Sequence, residues 1–351
     1  GPANNEVALR ASRESLVLLK NDGNTLPLNK NAVKKIAVVG PNADEISYAN
    51  THYGPLATDV VSVLRGIREM AATTGAEVLY EKGCNLVDEN WPLSEIDPQP
   101  ASEEEAAMIN AAVKAAEKSD VVVAVMGGGQ RTCGENKSRS SLDLPGHQED
   151  LLKALKATGK PLIVVLINGR PLSINWADRN ADAILEAWYR GADGRTAVAE
   201  ALFGDYNPGG KISVTFPRTV GQIPFNFPYK PNSQVDGNGV PGINGGLSRV
   251  GGALYNFGHG LSYTTFEYSD LKLSKENIMP DESIKVSFNV KNTGTMGGDE
   301  IPQLYLHDKV SSITVYDKLL RGFDRIHLEP GETKSVSFII TPKALSLLDG
   351  K

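Results

Sequence analysis

Residues 121–152 read VVVAVMGGGQRTCGENKSRSSLDLPGHQEDLL. The run Val121–Met126 is apolar without interruption and rich in β-branched side chains, which is how a strand covered on both faces reads. Three glycines, Gly127–Gly129, then let the backbone turn sharply. A polar loop follows with Glu135 between Gly134 and Asn136. Pro145-Gly146 closes the loop, and a helical pattern begins at His147. Strand, glycine turn, polar loop and helix describe an α/β protein that holds a functional loop at the C-terminal edge of its sheet.

The same alternation extends in both directions. Strand-like runs are expected at Ile36–Gly40, Glu77–Glu81, Leu162–Ile167, Ala183–Trp188 and Lys211–Phe216. Helices are expected near Asp59–Ala72, Glu103–Lys118, His147–Thr158, Ser173–Arg179 and Gly194–Phe203. In Glu103–Lys118 the residues Ala107, Ile109, Ala112, Val113 and Ala116 fall at helical spacing. Strand–helix repetition predicts a mostly parallel sheet with helices on both sides. Asn5–Lys20 reads as a helix ended by the turn cluster Asn21-Asp22-Gly23-Asn24. It looks like the tail of something longer.

From Pro228 the composition shifts to Gly, Pro, Asn and Ser, a long segment of the kind that serves as a functional loop or a linker. Beyond Tyr263 the pattern becomes alternating. Leu271–Leu273, Ser283–Val290, Pro302–Leu306 and Ser335–Ile340 read as strands of an antiparallel, immunoglobulin-like β-sandwich. This domain looks truncated at Asp349-Gly350-Lys351. The expected organisation is an α/β domain over 1–227, a Gly/Pro-rich linking loop over 228–262, and the β-sandwich over 263–351.

Bulk properties exclude several function classes. With 351 residues, 40% hydrophobic and 22% charged, the chain has the make-up of a soluble globular protein of two or three domains. A formal net charge of −6 argues against nucleic acid or an anionic membrane as partner. No apolar run approaches the roughly 20 residues of a membrane span. Five histidines without ligand spacing predict no metal site. Cys84 and Cys133 form no CxxC pair; two buried thiols and, in an exported protein, a Cys84–Cys133 disulfide both stay open. The Gly1-Pro2 start has the look of a protease scar.

Two readings compete for the Gly127–Gly134 loop. Gly129 and Gly134 stand at the spacing of a phosphate-binding loop, but Glu135 and Asn136 follow where Lys and Ser/Thr are required. A carboxylate there repels phosphate, and no GxGxxG opens a helix anywhere. No cofactor is therefore expected. The second reading makes Glu135 a proton donor carried to a substrate by a loop, with Arg139 as tether or charge partner. Arg170, in an Asn-Gly-Arg-Pro turn, reads as structural, ordering backbone carbonyls. Trp91 is an aromatic without a motif behind it.

Long motifs in a fixed order add a resemblance. Residues 121–152, PLIVVLINGRP (161–171), FGDYNPGG (203–210) and ALYNFGHGLSY (253–263) resemble the C-terminal half of family 3 glycoside hydrolases, the β-glucosidase/β-xylosidase group. RESLVLLKNDGNTLPL (13–28) is similar to the segment after that family's catalytic barrel. KLLRGFDRIHLEPGETKSVSF (318–338) looks like its fibronectin type III-like domain.

The resemblance implies a (β/α)8 barrel, then an (α/β)6 sandwich, then the fibronectin-like domain, with residues 1–28 as the connecting segment. It also implies a retaining mechanism with two carboxylates about 5–5.5 Å apart. The nucleophilic Asp belongs to the barrel and the acid/base Glu to a loop of the sandwich. On the frame Glu-x-x-x-Arg-x-x-Leu-x-Leu-Pro-x-x-Gln that Glu is Glu135. As an acid at neutral pH it requires desolvation or a neighbouring carboxylate charge. The loop Ser47–Gly54 resembles one that places an aromatic at the leaving-group subsite, which makes Tyr53 and His52 candidates for sugar binding. The Gly-rich Asn232–Gly252 stretch is a candidate cover for the site.

The substrates so implied are β-linked glucosides or oligosaccharides, cleaved at terminal nonreducing β-D-glucosyl residues, and the place of action is periplasmic or secreted. No barrel is visible in these 351 residues, so the chain is expected to be inactive by itself. The competing class is a barrel-less module that binds carbohydrate or protein without catalysis.

Overall fold

The computed structural model describes residues 2–47, 60–189, 194–230 and 251–347. The chain divides into two compact units, residues 1–223 with 253–261, and residues 224–252 with 262–351.

The first unit is built on a six-stranded sheet: β1 (Val17–Asn21), β2 (Lys35–Val39), β3 (Glu77–Glu81), β4 (Val121–Gly127), β5 (Leu162–Ile167) and β6 (Ala183–Glu186). The spatial order is β1-β6-β5-β4-β2-β3. All neighbours are parallel except β1, which runs antiparallel to β6 at the edge. Helices α1 (Pro2–Glu14), α2 (Val63–Thr74), α3 (Glu103–Glu117), α4 (Gln148–Lys156), α5 (Asn175–Asn180) and α6 (Gly194–Phe203) complete the unit.

The uninterrupted apolar runs mark the centre of this sheet. Val122, Ala124 and Met126 of β4 and Leu162, Val164 and Leu166 of β5 pack with Ala112 and Ala116 of α3 and Leu151, Leu152 and Leu155 of α4. The alternate residues Val123, Val125, Ile163 and Val165 point to the opposite face and are equally buried. Helices therefore cover both faces. α2 starts at Ser62, whose side chain accepts from Arg65 N, and stops at Gly75 in the left-handed region. α1 is tied to α6 by Arg13, which reaches both carboxylate oxygens of Glu200 at 2.6 and 2.5 Å.

Two sequence expectations are corrected here. The helix expected over Asn5–Lys20 ends at Glu14, and Val17–Asn21 is strand β1. Leu16, Val17, Leu18 and Leu19 are all buried in succession. A helix on one face of a domain hides only one stripe, so four consecutive buried residues favour an edge strand. The strand expected at Lys211–Phe216 does not join the sheet. Its backbone bonds instead to the returning segment: Ile212 N to His259 O, Gly258 N to Ile212 O, and Phe216 N to Tyr255 O. That segment also closes on β1, where His259 Nε2 meets Leu19 O at 2.8 Å and Leu261 bridges Leu18.

Strand order reverses between β2 and β4. From β2 the chain crosses to β3 on one side, then returns to build β4, β5 and β6 on the other. In open α/β sheets such a switch point leaves a crevice at the carboxyl ends of the strands. Both switch strands run into a glycine at positive φ, Gly40 (113°) and Gly127 (128°). A Cβ on Gly40 would stand 2.2 Å from Val125 O, and one on Gly127 2.1 Å from Ile167 O. Cys84 and Cys133 are free thiols, the first buried and the second partly so.

Among its described residues the second unit carries three small antiparallel sheets. β7 (Phe266–Leu273), β8 (Ile284–Asn292) and β13 (Thr333–Ile340) form one, in the order β13-β8-β7. β10 (Gln303–Leu306) pairs with β11 (Leu319–Phe323), and β12 (Ile326–Leu328) with β9 (Gly298–Glu300). A short helix, α7 (Pro342–Leu345), follows β13. The core is small: Val290, Leu328 and Val336, with Phe266, Phe288, Ile326 and Phe338 around them.

On β12, His327 is held between two carboxylates. Nδ1 lies 2.7 Å from Asp299 Oδ1 and Nε2 lies 3.2 Å from Glu329 Oε1. Asp299 also takes Arg325 at 2.7 Å, and Lys334 Nζ donates to His327 O. The bond to Asp299 first, then that to Glu329, raises the imidazole above the ordinary histidine value while partial burial opposes them. A group with a raised folded-state pKa stabilises the fold below its unfolded value of about 6.5 and loses that contribution as pH rises through the folded value. An NMR titration should therefore place the His327 midpoint above 6.5, and Asp299→Asn should lower it. A midpoint unmoved by Asp299→Asn would contradict this pairing.

Candidate functional site

The loop that leaves β4 returns to it. Gly127 N–H donates to Gln148 Oε1 at 2.8 Å, and Gln148 Nε2 donates back to Gly127 O at 2.9 Å and to Leu86 O at 3.0 Å. Gln148 is fully buried, so its carboxamide closes the neck of a loop that runs between them. Leaving a buried backbone group unsatisfied costs about 1–3 kcal/mol, and here both polar groups of Gly127 depend on one side chain.

Inside the neck the loop is built in stages. Gly129 O accepts from Thr132 N and Cys133 N, both at 3.0 Å, and the buried Thr132 hydroxyl accepts from Gly129 N. A turn follows in which Lys137 N donates to Gly134 O at 3.2 Å, with Glu135 and Asn136 at its centre. Asn136 takes φ 59°, a conformation that asparagine tolerates better than most residues. Glu135 is exposed on this turn.

The far end of the loop is anchored by a buried ion pair. Arg139 Nε bonds Glu95 Oε1, and the two side chains are 3% and 5% exposed. Arg139 Nη2 donates to Asp143 O at 2.9 Å, and its guanidinium lies over the Trp91 ring, 5.1 Å from the centroid. The other Glu95 oxygen accepts from Ser140 N and Ser140 Oγ, both at 2.8 Å. Burial lowers the Arg139 pKa, and Glu95 opposes that shift. Arg139 is thus the tether of the loop, and its carboxylate partner is Glu95. A cavity of about 200 Å³ lies beside this pair, with Asp88, Trp91, Gln99, Asp143 and His147 in its wall.

The remaining residues of the frame are also structural. Leu142 O accepts from Ser173 N at 2.8 Å, Leu144 joins the core, and Gly146 passes against Val87 and Asp88. The side chains of Arg139 and Gln148 bond the scaffold, and Leu144 is buried in the core. Glu135 at its head is exposed.

Arg170 sits at the end of β5, and its Nη2 donates to Thr132 O at 3.0 Å and to Lys137 O at 3.1 Å. The carbonyls it orders therefore belong to the Glu135 loop. Across the switch point, Gln130 Nε2 donates to Ser47 O at 2.5 Å, joining the loop after β4 to the one after β2. Tyr53 and His52 lie outside the described residues, as does most of the Gly-rich stretch 232–252. Among the described residues no group of three or more His, Cys, Asp or Glu side chains is arranged to hold a metal ion. None of the described helices is long and apolar enough to cross a membrane.

Sequence reading did not single out Glu95 or Gln130. Glu95 is 44 residues from its partner, and the only available signal was the motif's Arg139, a cation that burial obliges to find a carboxylate. Gln130 carried no signal, because its partner is a backbone carbonyl.

Comparison with known proteins places this architecture. The Glycosyl hydrolase family 3 C-terminal domain matches residues 16–263, and the Fibronectin type III-like domain matches residues 300–351. A periplasmic beta-glucosidase of Salmonella typhimurium is 43% identical over 96% of this chain and 45% of its own length. A beta-xylosidase of Formosa agariphila is 41% identical over 98% of this chain and 46% of its own. Among solved structures, a β-glucosidase from Erythrobacter marinus superposes with a TM-score of 0.85 at 38% identity, covering 97% of this chain and 46% of that one. The β-glucosidase of Listeria innocua in complex with isofagomine gives 0.82 at 32%, covering 98% and 46%. The chain spans about half the length of the relatives it matches. With the C-terminal domain match extending over most of its residues, this chain belongs to glycosyl hydrolase family 3.

Proposed function

We propose that this chain carries the general acid/base of a retaining β-glycosidase, that this residue is Glu135, and that the substrate is a β-D-glucoside cleaved at its nonreducing end. The observation that carries the reading is the place of Glu135 in the fold. Glu135 is exposed on the turn of the loop that leaves the carboxyl end of β4, next to the switch point, and that loop is anchored through Arg139 and Gln148. Names of the relatives, beta-glucosidase and beta-xylosidase, support the substrate class. The periplasmic relative supports a place of action outside the cytoplasm.

In this reading the nucleophile is an Asp on a (β/α)8 barrel outside these 351 residues. Its carboxylate oxygen attacks the anomeric carbon, the glycosidic C–O bond breaks, and the leaving oxygen takes the proton of Glu135. Glu135, now a carboxylate, removes a proton from water as the water oxygen displaces the Asp from the same carbon. The sugar leaves with retained configuration, and Glu135 is protonated again. A general acid works best behind a water-excluding wall. Glu135 is exposed in this chain, so that wall is supplied by the partner domain.

Two measurements check the reading. In chemical denaturation Glu95→Ala should cost about 3–5 kcal/mol, because it strands a buried guanidinium; Glu135→Ala, at an exposed position, should stay within about 0.5 kcal/mol. Comparable losses from the two variants would place Glu135 in the scaffold. In the activity assay, hydrolysis of an alkyl β-glucoside should appear only when a barrel fragment is added. Glu135→Ala should then lower it by roughly 10²-fold or more. Turnover by this chain alone, or full turnover by the Glu135→Ala complex, would overturn the reading.

A further inference from the structure

We infer that Arg170 is a positioning residue for Glu135: it staples the acid/base turn from behind and sets where the carboxyl group stands against the leaving oxygen. The inference rests on Glu135 being the acid/base.

The geometry is specific to the turn. One nitrogen, Arg170 Nη2, serves two carbonyls that lie on either side of Glu135, Thr132 O at 3.0 Å and Lys137 O at 3.1 Å. Between them the backbone is a tight turn closed by Lys137 N and Gly134 O. Fixing residues 132 and 137 to one point removes the hinge motion that the glycines of the loop otherwise permit. The bonds are charge-assisted, roughly twice as strong as neutral ones. Arginine also keeps its charge at every pH the protein meets.

The staple is itself rigidly mounted. Arg170 lies three residues past the end of β5, the strand beside β4. Asn168 Nδ2 holds Arg170 O at 2.5 Å. Between them Gly169 packs so closely that a Cβ there would stand 2.7 Å from both Cys133 Sγ and the Tyr189 ring. The Asn168–Arg170 turn therefore touches the loop at Cys133 and bonds it at Thr132 and Lys137. The turn that carries Glu135 is in this way referenced to the most buried part of the sheet. Arg139, a guanidinium of the loop itself, is occupied with Glu95, Asp143 O and Trp91.

A displaced acid matters most when the leaving group needs its proton. The test compares kcat/KM, which reports the glycosylation step, for methyl β-glucoside and 2,4-dinitrophenyl β-glucoside with the chain joined to its barrel. Dinitrophenolate departs without protonation. Arg170→Ala should lower kcat/KM for the methyl glucoside by about 10²-fold, as a misplacement near 1 Å does, and by far less for the dinitrophenyl glucoside. Added guanidinium ion should restore part of the loss, and Arg170→Lys, able to reach one carbonyl, should fall between. Equal losses on both substrates, or no loss on the methyl glucoside, would overturn the inference. Glu135→Gln is the control: if it shows no dependence on the leaving group, the acid/base assignment itself falls. If it does and Arg170→Ala does not, only the role of Arg170 falls.

Discussion

The carboxamide of Gln148 closes a circle on which the rest of the site depends. A buried backbone cannot leave N–H and C=O groups without partners, and at Gly127 the parallel ladder ends. Gln148 supplies both the acceptor and the donor that Gly127 lacks there. In doing so it fixes the first residue of α4 against the last residue of β4. The loop between them therefore begins and ends at fixed points. Gly127 is required for the same reason, since the neighbouring carbonyl of Ile167 occupies the place of a Cβ.

Within that closed loop the interactions divide by burial. The Arg139–Glu95 pair is nearly inaccessible and touches a tryptophan ring. An ion pair of this kind contributes little net stability against an apolar alternative, but losing one member is costly. Its value is in geometry: Glu95 comes from the segment after β3 and joins the loop after β4 to it. Arg170 does the same from β5. Two separate parts of the first unit thus converge on a loop of about twenty residues, and the acidic side chain on its central turn is exposed.

Much of this was legible in the sequence. The apolar runs of β4 and β5, the glycine punctuation after Met126 and the amphipathic spacing of α3 are local properties, and each matches the structure. The loop that carries Glu135 was legible too, because the glycines and the Pro145-Gly146 pair that bound it are contiguous with β4 and α4. The helix over Asn5–Lys20 was misread because Leu16–Leu19 suit a helix by composition, and only the antiparallel contact with β6 makes them a strand. Lys211–Phe216 was misread as a sheet strand for the converse reason: its partner is the segment around Tyr255, which no local pattern announces.

The sequence by itself determined the fold class, the strand and helix alternation, and the loop on which a carboxylate is presented, since these follow from side-chain periodicity and backbone preferences over a few residues. Only the tertiary structure decided which carboxylate neutralises Arg139, which carbonyls Arg170 holds, and that the loops after β2 and β4 are joined through Gln130 and Ser47. Those pairings connect residues tens of positions apart. Their free energy exists only after the sheet has brought the strand ends together, so no short stretch of sequence carries them.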